Sequence, residues 1–253
     1  MAISTFQRRE IKFLMTLEQY QALLPTVHEH MNPDRFCIDG KEYGIFNIYY
    51  DTPDNLLIRR SIQKPYYKEK LRLRGYYSPA APDSPVFLEV KKKIGGIVVK
   101  RRVTMTVAEA EAYIQTRVKP YYERFLDQQI MKEMDVFLNS YDSIAPRQYI
   151  SYQRSAFFGK DDSNLRLTFD RQLTERRYDL TLTKGSYGNQ IISDDYRLME
   201  IKIPGSVPVW LSNALSELGI RRHSFSKYGR AYQKYVLEQK EVRQQEERKI
   251  IYA

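Results

Sequence analysis

Polar and apolar residues alternate with a period of two through much of this chain. In Lys70-Leu71-Arg72-Leu73-Arg74, three cations fall on one side of an extended backbone and two leucines on the other. Arg166, Thr168 and Asp170 alternate with Leu165, Leu167 and Phe169, and Glu200 and Lys202 alternate with Met199, Ile201 and Ile203. Runs rich in Val, Ile, Tyr, Phe and Thr and bounded by turn residues predict strands over residues 7–14, 43–51, 67–77, 86–93, 97–104, 148–157, 164–171, 177–183 and 196–203. Gly95-Gly96, between two of them, predicts a tight hairpin.

Helical signals lie between groups of strands. Thr16 with Gln19 forms a capping-box pattern that opens a helix to about residue 31, and Thr106 with Glu109 opens another to about residue 117. Leu126, Ile130, Met134 and Phe137 share one face of a helix expected over 121–139. Two more are expected after Val207 and Ser226, the last with a stripe of Tyr228, Ala231, Tyr232 and Tyr235. No repeat or Gly/Ser linker divides the chain, and the proline-rich stretch 78–85 reads as a strand connection. The expectation is one domain over residues 1–237 followed by a charged helical tail over 238–253, in an α+β fold.

Composition adds two exclusions and one clue. With 42% hydrophobic and 28% charged residues, the 253-residue chain is too apolar for intrinsic disorder. Its single cysteine, Cys37, excludes an intramolecular disulfide and a Cys-based zinc site. No run approaches the roughly 18 apolar residues of a membrane span, and the N-terminal stretch lacks the apolar core of a secretory signal, so a cytoplasmic location is expected. The clue is charge: 41 Lys+Arg against 31 Asp+Glu leave a formal +10, which suits an anionic partner.

The surplus is concentrated on particular strand faces. Arg8, Glu10 and Lys12 share one, as do Glu89, Lys91 and Lys93, then Lys100 and Arg102, then Tyr152 and Arg154. Across these faces and those above, cations outnumber carboxylates about three to one, a crowding that is costly unless an anion sits on it. If the sheet curls into a closed barrel with helices on its outside, the apolar side chains pack outward and the charged ones line a cationic tunnel. Phosphate oxygens would satisfy the Lys and Arg donors. The carboxylates among them, Glu10, Glu89 and Glu200, are either counter-ions or ligands for Mg²⁺ or Mn²⁺, which prefer oxygen. No Walker A loop, HExxH or Ser-His-Asp pattern is present, and phosphoryl transfer needs mainly positioning and charge. The 21 tyrosines fall largely at core spacings, so a nucleic-acid partner is not expected.

These residues resemble the VTC domain, the polyphosphate polymerase module of the triphosphate tunnel metalloenzyme group, related to the CYTH domains. The likeness rests on Arg8-x-Glu10-x-Lys12, Tyr49-Tyr50-Asp51-Thr52, Lys70-x-Arg72-x-Arg74, Glu89-x-Lys91 and Lys100-Arg101. It continues through Tyr152-x-Arg154-x-Ala156-Phe157, Leu165-Arg166 with Asp170, Glu200-x-Lys202 and Phe225-Ser226-Lys227-Tyr228, in order over about residues 6–236. The resemblance implies an antiparallel β-barrel tunnel that transfers the γ-phosphate of ATP to a growing polyphosphate chain with Mn²⁺ or Mg²⁺. It makes Lys12, Arg72, Arg74, Lys91, Lys100, Arg154, Arg166 and Lys227 the tunnel cations and Glu200 the metal carboxylate, with Tyr152 and Lys202 as further contacts. ATP, inorganic polyphosphate, pyrophosphate and triphosphate are the implied ligands; a membrane-protein partner is left open.

Two positions depart from the family. Ser224 stands where eukaryotic members have a basic residue, which leaves that contact to Arg222 or His223. Arg8 stands where hydrolytic tunnel relatives carry the first of two glutamates, which argues against efficient hydrolysis. A triphosphate or nucleoside triphosphate hydrolase of the same fold and a non-catalytic polyphosphate-binding module are the competing readings.

Overall fold

The structure, a computed structural model, describes the backbone of residues 9–251 and the side chains of residues 9–244; Arg8 lies outside the described residues. The chain begins with β1 (Arg9–Thr16), α1 (Leu17–His30), β2 (Met31–Pro33), β3 (Tyr43–Asp51) and α2 (Leu56–Ile62). A meander of β4 (Tyr67–Gly75), β5 (Pro85–Ile94) and β6 (Ile97–Thr106) leads into α3 (Val107–Thr116) and α4 (Phe125–Asn139). Then come β7 (Ala145–Gly159), β8 (Arg166–Arg176), β9 (Asn189–Gln190), β10 (Tyr196–Ile203), α5 (Val209–Glu217) and α6 (Lys227–Ile251). No helix among the described residues is long and apolar enough to cross a membrane.

All pairings are antiparallel, in the order β1-β10-β8-β7-β3-β4-β5-β6, with β2 on β7 and β9 on β8. The β5–β6 connection is the expected tight hairpin: Ile94 pairs with Ile97, and Gly95 and Gly96 take φ of 53° and 93°, which glycine adopts without steric cost. Both capping boxes form, Thr16 with Gln19 and Thr106 with Glu109.

The alternation partitions the sheet. Leu71, Leu73, Leu88, Val90 and Val103 pack under α3 and α4, while Phe13, Leu167, Phe169, Met199 and Ile201 pack under α1 and α5. A third apolar cluster joins Ile45, Tyr49, Ile150, Tyr152 and Leu198 to Ile58 of α2 and to Phe225, Tyr228 and Ala231. Here α6 departs from the expected outer layer of helices, because its first turns lie against the concave face. From Leu237 to Gln244 its side chains are exposed, and the helix runs unbroken through residue 238.

Three expectations are corrected. Among the described residues the sheet curls but does not close into a hydrogen-bonded ring; β1 and β6 are its two ends. Across the gap, Lys91 Nζ of β5 lies 3.8 Å from Glu10 Oε2 of β1, and the free edge of β1 carries a bridge from Phe13 to Arg222 of the C-terminal segment. Residues 177–183 are not a strand. The Arg176 guanidinium, buried between the Tyr149 and Tyr187 rings, donates to the carbonyls of Asp179, Thr181 and Tyr187, and so organises a loop instead of a ladder. Finally, α4 begins at Phe125 rather than 121, because the Tyr122 carbonyl accepts from Gln128 Nε2 and its hydroxyl is tied to Thr104 of β6.

The short α2 was not expected, and Asp51 explains it. This fully buried carboxylate accepts from the backbone N–H of Thr52 and Leu57, both at 2.8 Å, and of Ile58 at 3.0 Å. It therefore supplies the cap that Asn55 does not. It also accepts from Tyr228 Oη at 2.9 Å, which ties α6 to the end of β3. Replacing Asp51 with Ala leaves buried donors unpaired and is expected to cost about 3 kcal/mol or more. Asn, keeping one acceptor oxygen, should cost less; urea denaturation of the two variants gives both values.

Candidate functional site

The charged alternate residues of the curled sheet face a cavity of about 700 Å³. Its wall carries thirteen Lys and Arg side chains against four glutamates, so much of the chain's net charge is directed into one space. Strands β1, β10, β7, β4 and β5 contribute Lys12, Glu200, Arg154, Arg72 and Lys91, and the segment 222–230 crosses the opening with Arg222, His223, Ser224, Lys227 and Arg230.

Neutralisation inside the cavity is uneven. On neighbouring β1 and β10, Lys12 stands opposite Glu200 and Glu10 opposite Lys202, a checkerboard in which opposite charges meet. Lys12 Nζ lies 3.1 Å from Glu10 and 3.5 Å from Glu200, and Lys202 Nζ lies 2.6 Å from Glu200. Burial opposes the charged form of Glu200, yet Lys202, Lys12, Arg154 and Lys227 together hold its pKa well below the usual carboxylate range. On the opposite wall, Glu89 is 1% exposed and held by Arg72 at 2.6 Å and Lys100 at 2.5 Å. Burial opposes its ionisation too, but Arg72, Arg74 and Lys100 lower its pKa to about 2.

Behind these, Asp170 is fully buried and takes both Arg154, in a bidentate pair at 2.6 and 2.8 Å, and Lys227 at 2.5 Å. Among the described residues Arg74 and Lys70 pair with no carboxylate. Arg74 donates to Asn47 Oδ1 at 2.9 Å and to Tyr152 Oη at 3.2 Å, and Lys70 reaches Ser226 Oγ at 3.4 Å. Both stand on the same strand face as Arg72, where an incoming anion would supply the acceptor they lack.

Of the residues singled out from the sequence, Lys12, Arg72, Arg74, Lys91, Arg154, Lys227, Tyr152, Lys202, Glu10, Glu89 and Glu200 line the cavity together. Lys100 stands behind Glu89 and supports it from β6. Arg166 is not brought in: its guanidinium lies over the Phe158 ring at 4.6 Å, outside the cavity lining. Arg222 and His223, the stand-ins for the contact missing at Ser224, do line the cavity, with His223 Nε2 3.2 Å from Arg230.

The three carboxylates do not form one metal cluster. Among the described residues no three His, Cys, Asp or Glu side chains converge; Glu10 and Glu200 meet at Lys12, while both oxygens of Glu89 are engaged by Arg72 and Lys100. Lys70, Lys68, Tyr49 and Asp170 belong to the site without having been assigned to it from the sequence. Lys70 and Asp170 were visible in the alternation beside Arg72 and Arg166.

A family model described as the VTC domain matches residues 7–236. Among solved structures, the fold is similar to that of a candidate adenylate cyclase from Bacillus halodurans, with 16% identity, a TM-score of 0.51, and coverage of 87% of this chain and 95% of that one. A candidate adenylyl cyclase from Hippeastrum with a dominant triphosphatase activity is similar at 16% identity and a TM-score of 0.50, over 89% of this chain and 95% of its own. No curated protein matches the chain in sequence.

The positive potential of the cavity should be readable in Tyr49. Burial would raise its phenol, but Arg72, Lys70 and Arg74 bring the pKa down to about 8, and burial lowers Lys70 to about 8 as well. As pH rises through this value Lys70 loses a positive charge and Tyr49 gains a negative one. An ultraviolet titration should show tyrosinate forming near pH 8, a component missing in Tyr49→Phe. Over the same range the affinity for tripolyphosphate should fall in the wild type relative to Tyr49→Phe, as calorimetry can measure.

Proposed function

The chain belongs to the VTC domain family, and we propose that its cavity holds ATP and a polyphosphate chain and transfers the γ-phosphate of the one to the other. The observation that carries this reading is the excess of thirteen cations over four carboxylates on one cavity wall, with Arg74 and Lys70 lacking any carboxylate partner. Linear polyanions of phosphate supply the acceptor oxygens that these donors lack.

Each residue takes a role from its surroundings. Arg72 and Arg74, adjacent on one face of β4, stabilise the charge on the transferring group. Lys12, Lys70, Lys91 and Lys202 bind the flanking phosphates. Arg154 and Lys227 are already held by Asp170 and so position the wall, with Tyr152 fixed between Arg74 and Arg154. The attacking group is a terminal phosphate oxygen, largely ionised at neutral pH, so no general base is needed. Its new bond to the γ-phosphorus forms as the bond to the ADP oxygen breaks.

The donor set suits a hard divalent cation: Glu200 and Glu10 offer carboxylate oxygens on adjacent strands, and phosphates and water would complete an all-oxygen shell. Glu200 with Glu10 would hold Mn²⁺ or Mg²⁺, which would supply positive charge to offset that of the phosphates. Glu89, occupied by Arg72 and Lys100, serves as their counter-ion.

Incubation with ATP and Mn²⁺ should yield a ladder of long chains on a polyphosphate gel, together with ADP. Glu200→Gln should keep the fold and lose the ladder. Orthophosphate without a ladder would make the protein a hydrolase, and intact ATP with bound polyphosphate would make it a receptor. Arg74→Ala, which strands no carboxylate, should weaken triphosphate binding by about 1.5–3 kcal/mol. Arg72→Ala is a less clean test, since it also deprives buried Glu89 of a partner.

A further inference from the structure

One mouth of the cavity is rimmed by a surface that phosphate binding does not account for. At the tip of the β5–β6 hairpin, Ile94, Ile97 and Val98 are 41%, 44% and 46% exposed. Tyr66, 77% exposed, lies beside them: its carbonyl accepts from Gly95 N at 2.9 Å, and its ring closes over the Gly95 Cα. Tyr67, paired with Ile94, is also exposed. Ile94, Ile97 and Val98 belong to none of the three buried clusters.

Next to this tip stands a group of lysines. Lys68 pairs with Lys93 across β4 and β5, and Lys64, Lys68 and Lys93 all line the cavity at this end. Among the described residues they pair with no carboxylate; the nearby Glu69 is buried and accepts from the hydroxyls of Tyr67 and Tyr141. Burial lowers the pKa of Lys68, and repulsion from Lys93, Lys64 and Lys91 lowers it further. Exposed aliphatic and tyrosine side chains ringed by unneutralised lysines are the pairing that anionic bilayer surfaces select: the apolar groups enter the headgroup boundary and the lysines meet lipid charge. A second copy of this chain is a poor occupant, because the two lysine groups would face each other.

We propose that this mouth docks on an anionic lipid surface through the hairpin tip, with Tyr66, Ile94 and Ile97 inserted and Lys64, Lys68 and Lys93 over the headgroups. The inserting side chains, Tyr66, Ile94 and Ile97, lie outside the cavity lining, so their removal leaves the cavity's own groups in place. The protein should bind lipid whether it proves to be a polymerase, a hydrolase or a receptor.

The test is sedimentation of the full chain with vesicles of phosphatidylcholine alone and with vesicles containing about one-third phosphatidylserine. Binding is expected only to the second kind. The double substitution Ile94→Ser with Ile97→Ser should reduce it about tenfold and leave tripolyphosphate affinity unchanged; Tyr66→Ser should reduce it separately. Absence of binding to the anionic vesicles overturns the proposal. So does binding that both variants retain, since lysines alone would then account for it. Self-association abolished by the double substitution, without vesicle binding, would assign the tip to a protein contact instead.

Discussion

Repulsion among like charges is the constraint around which this molecule is built. Thirteen cations face one cavity, and their mutual repulsion opposes the curling of the sheet around them. The driving force comes from the other side of each strand. Leucine, valine, isoleucine and phenylalanine alternate with the cations and are buried under α1, α3, α4 and α5, so apolar burial outside holds the charges together inside. The few carboxylates are placed where they reduce the cost most. Asp170 lies beneath Arg154 and Lys227, Glu89 between Arg72 and Lys100, and Glu200 between Lys12 and Lys202.

The C-terminal segment converts the curled sheet into a site. Lys12 donates to the Phe225 carbonyl at 3.2 Å, Lys70 to Ser226, and Lys227 to Asp170, so three strands are tied to three consecutive residues of chain. Tyr228 then stacks on Tyr49 at 4.5 Å and donates to Asp51, the residue that caps α2. The Tyr49-Tyr50-Asp51-Thr52 run is therefore both wall and anchor: Tyr49 answers to the cations, and Asp51 fixes two helices around them.

Much of this was legible from the sequence because period-two alternation records which face of a strand meets helices and which does not. Lys70 to Arg74, Glu200 with Lys202, and Glu89 with Lys91 showed their common face without any coordinates. The family likeness supplied what alternation cannot, namely that distant faces converge. What stayed hidden depends on side chains reaching across sequence. The cap of α2 lies on Asp51, several residues before the helix begins, and so leaves no local start signal. The stretch 177–183 looked extended because its composition suits a strand, but the buried Arg176 claims its carbonyls. Arg166 shares a face with Asp170 yet lies at the strand end, where its guanidinium sits over the Phe158 ring and outside the cavity lining.

The seam between β1 and β6 gives the cavity a mechanical property that a fully hydrogen-bonded ring lacks. A ring of paired strands resists dilation with a whole ladder of amide bonds. Here, among the described residues, no ladder joins β1 to β6; the Lys91–Glu10 contact reaches across from β5, and the free edge of β1 is bridged at Phe13 to Arg222 of the C-terminal segment. An exposed ion pair of that kind is worth roughly 1 kcal/mol or less. A widening along this line would break side-chain contacts and one bridge but no strand ladder, whereas a widening anywhere else in the sheet would have to break a ladder.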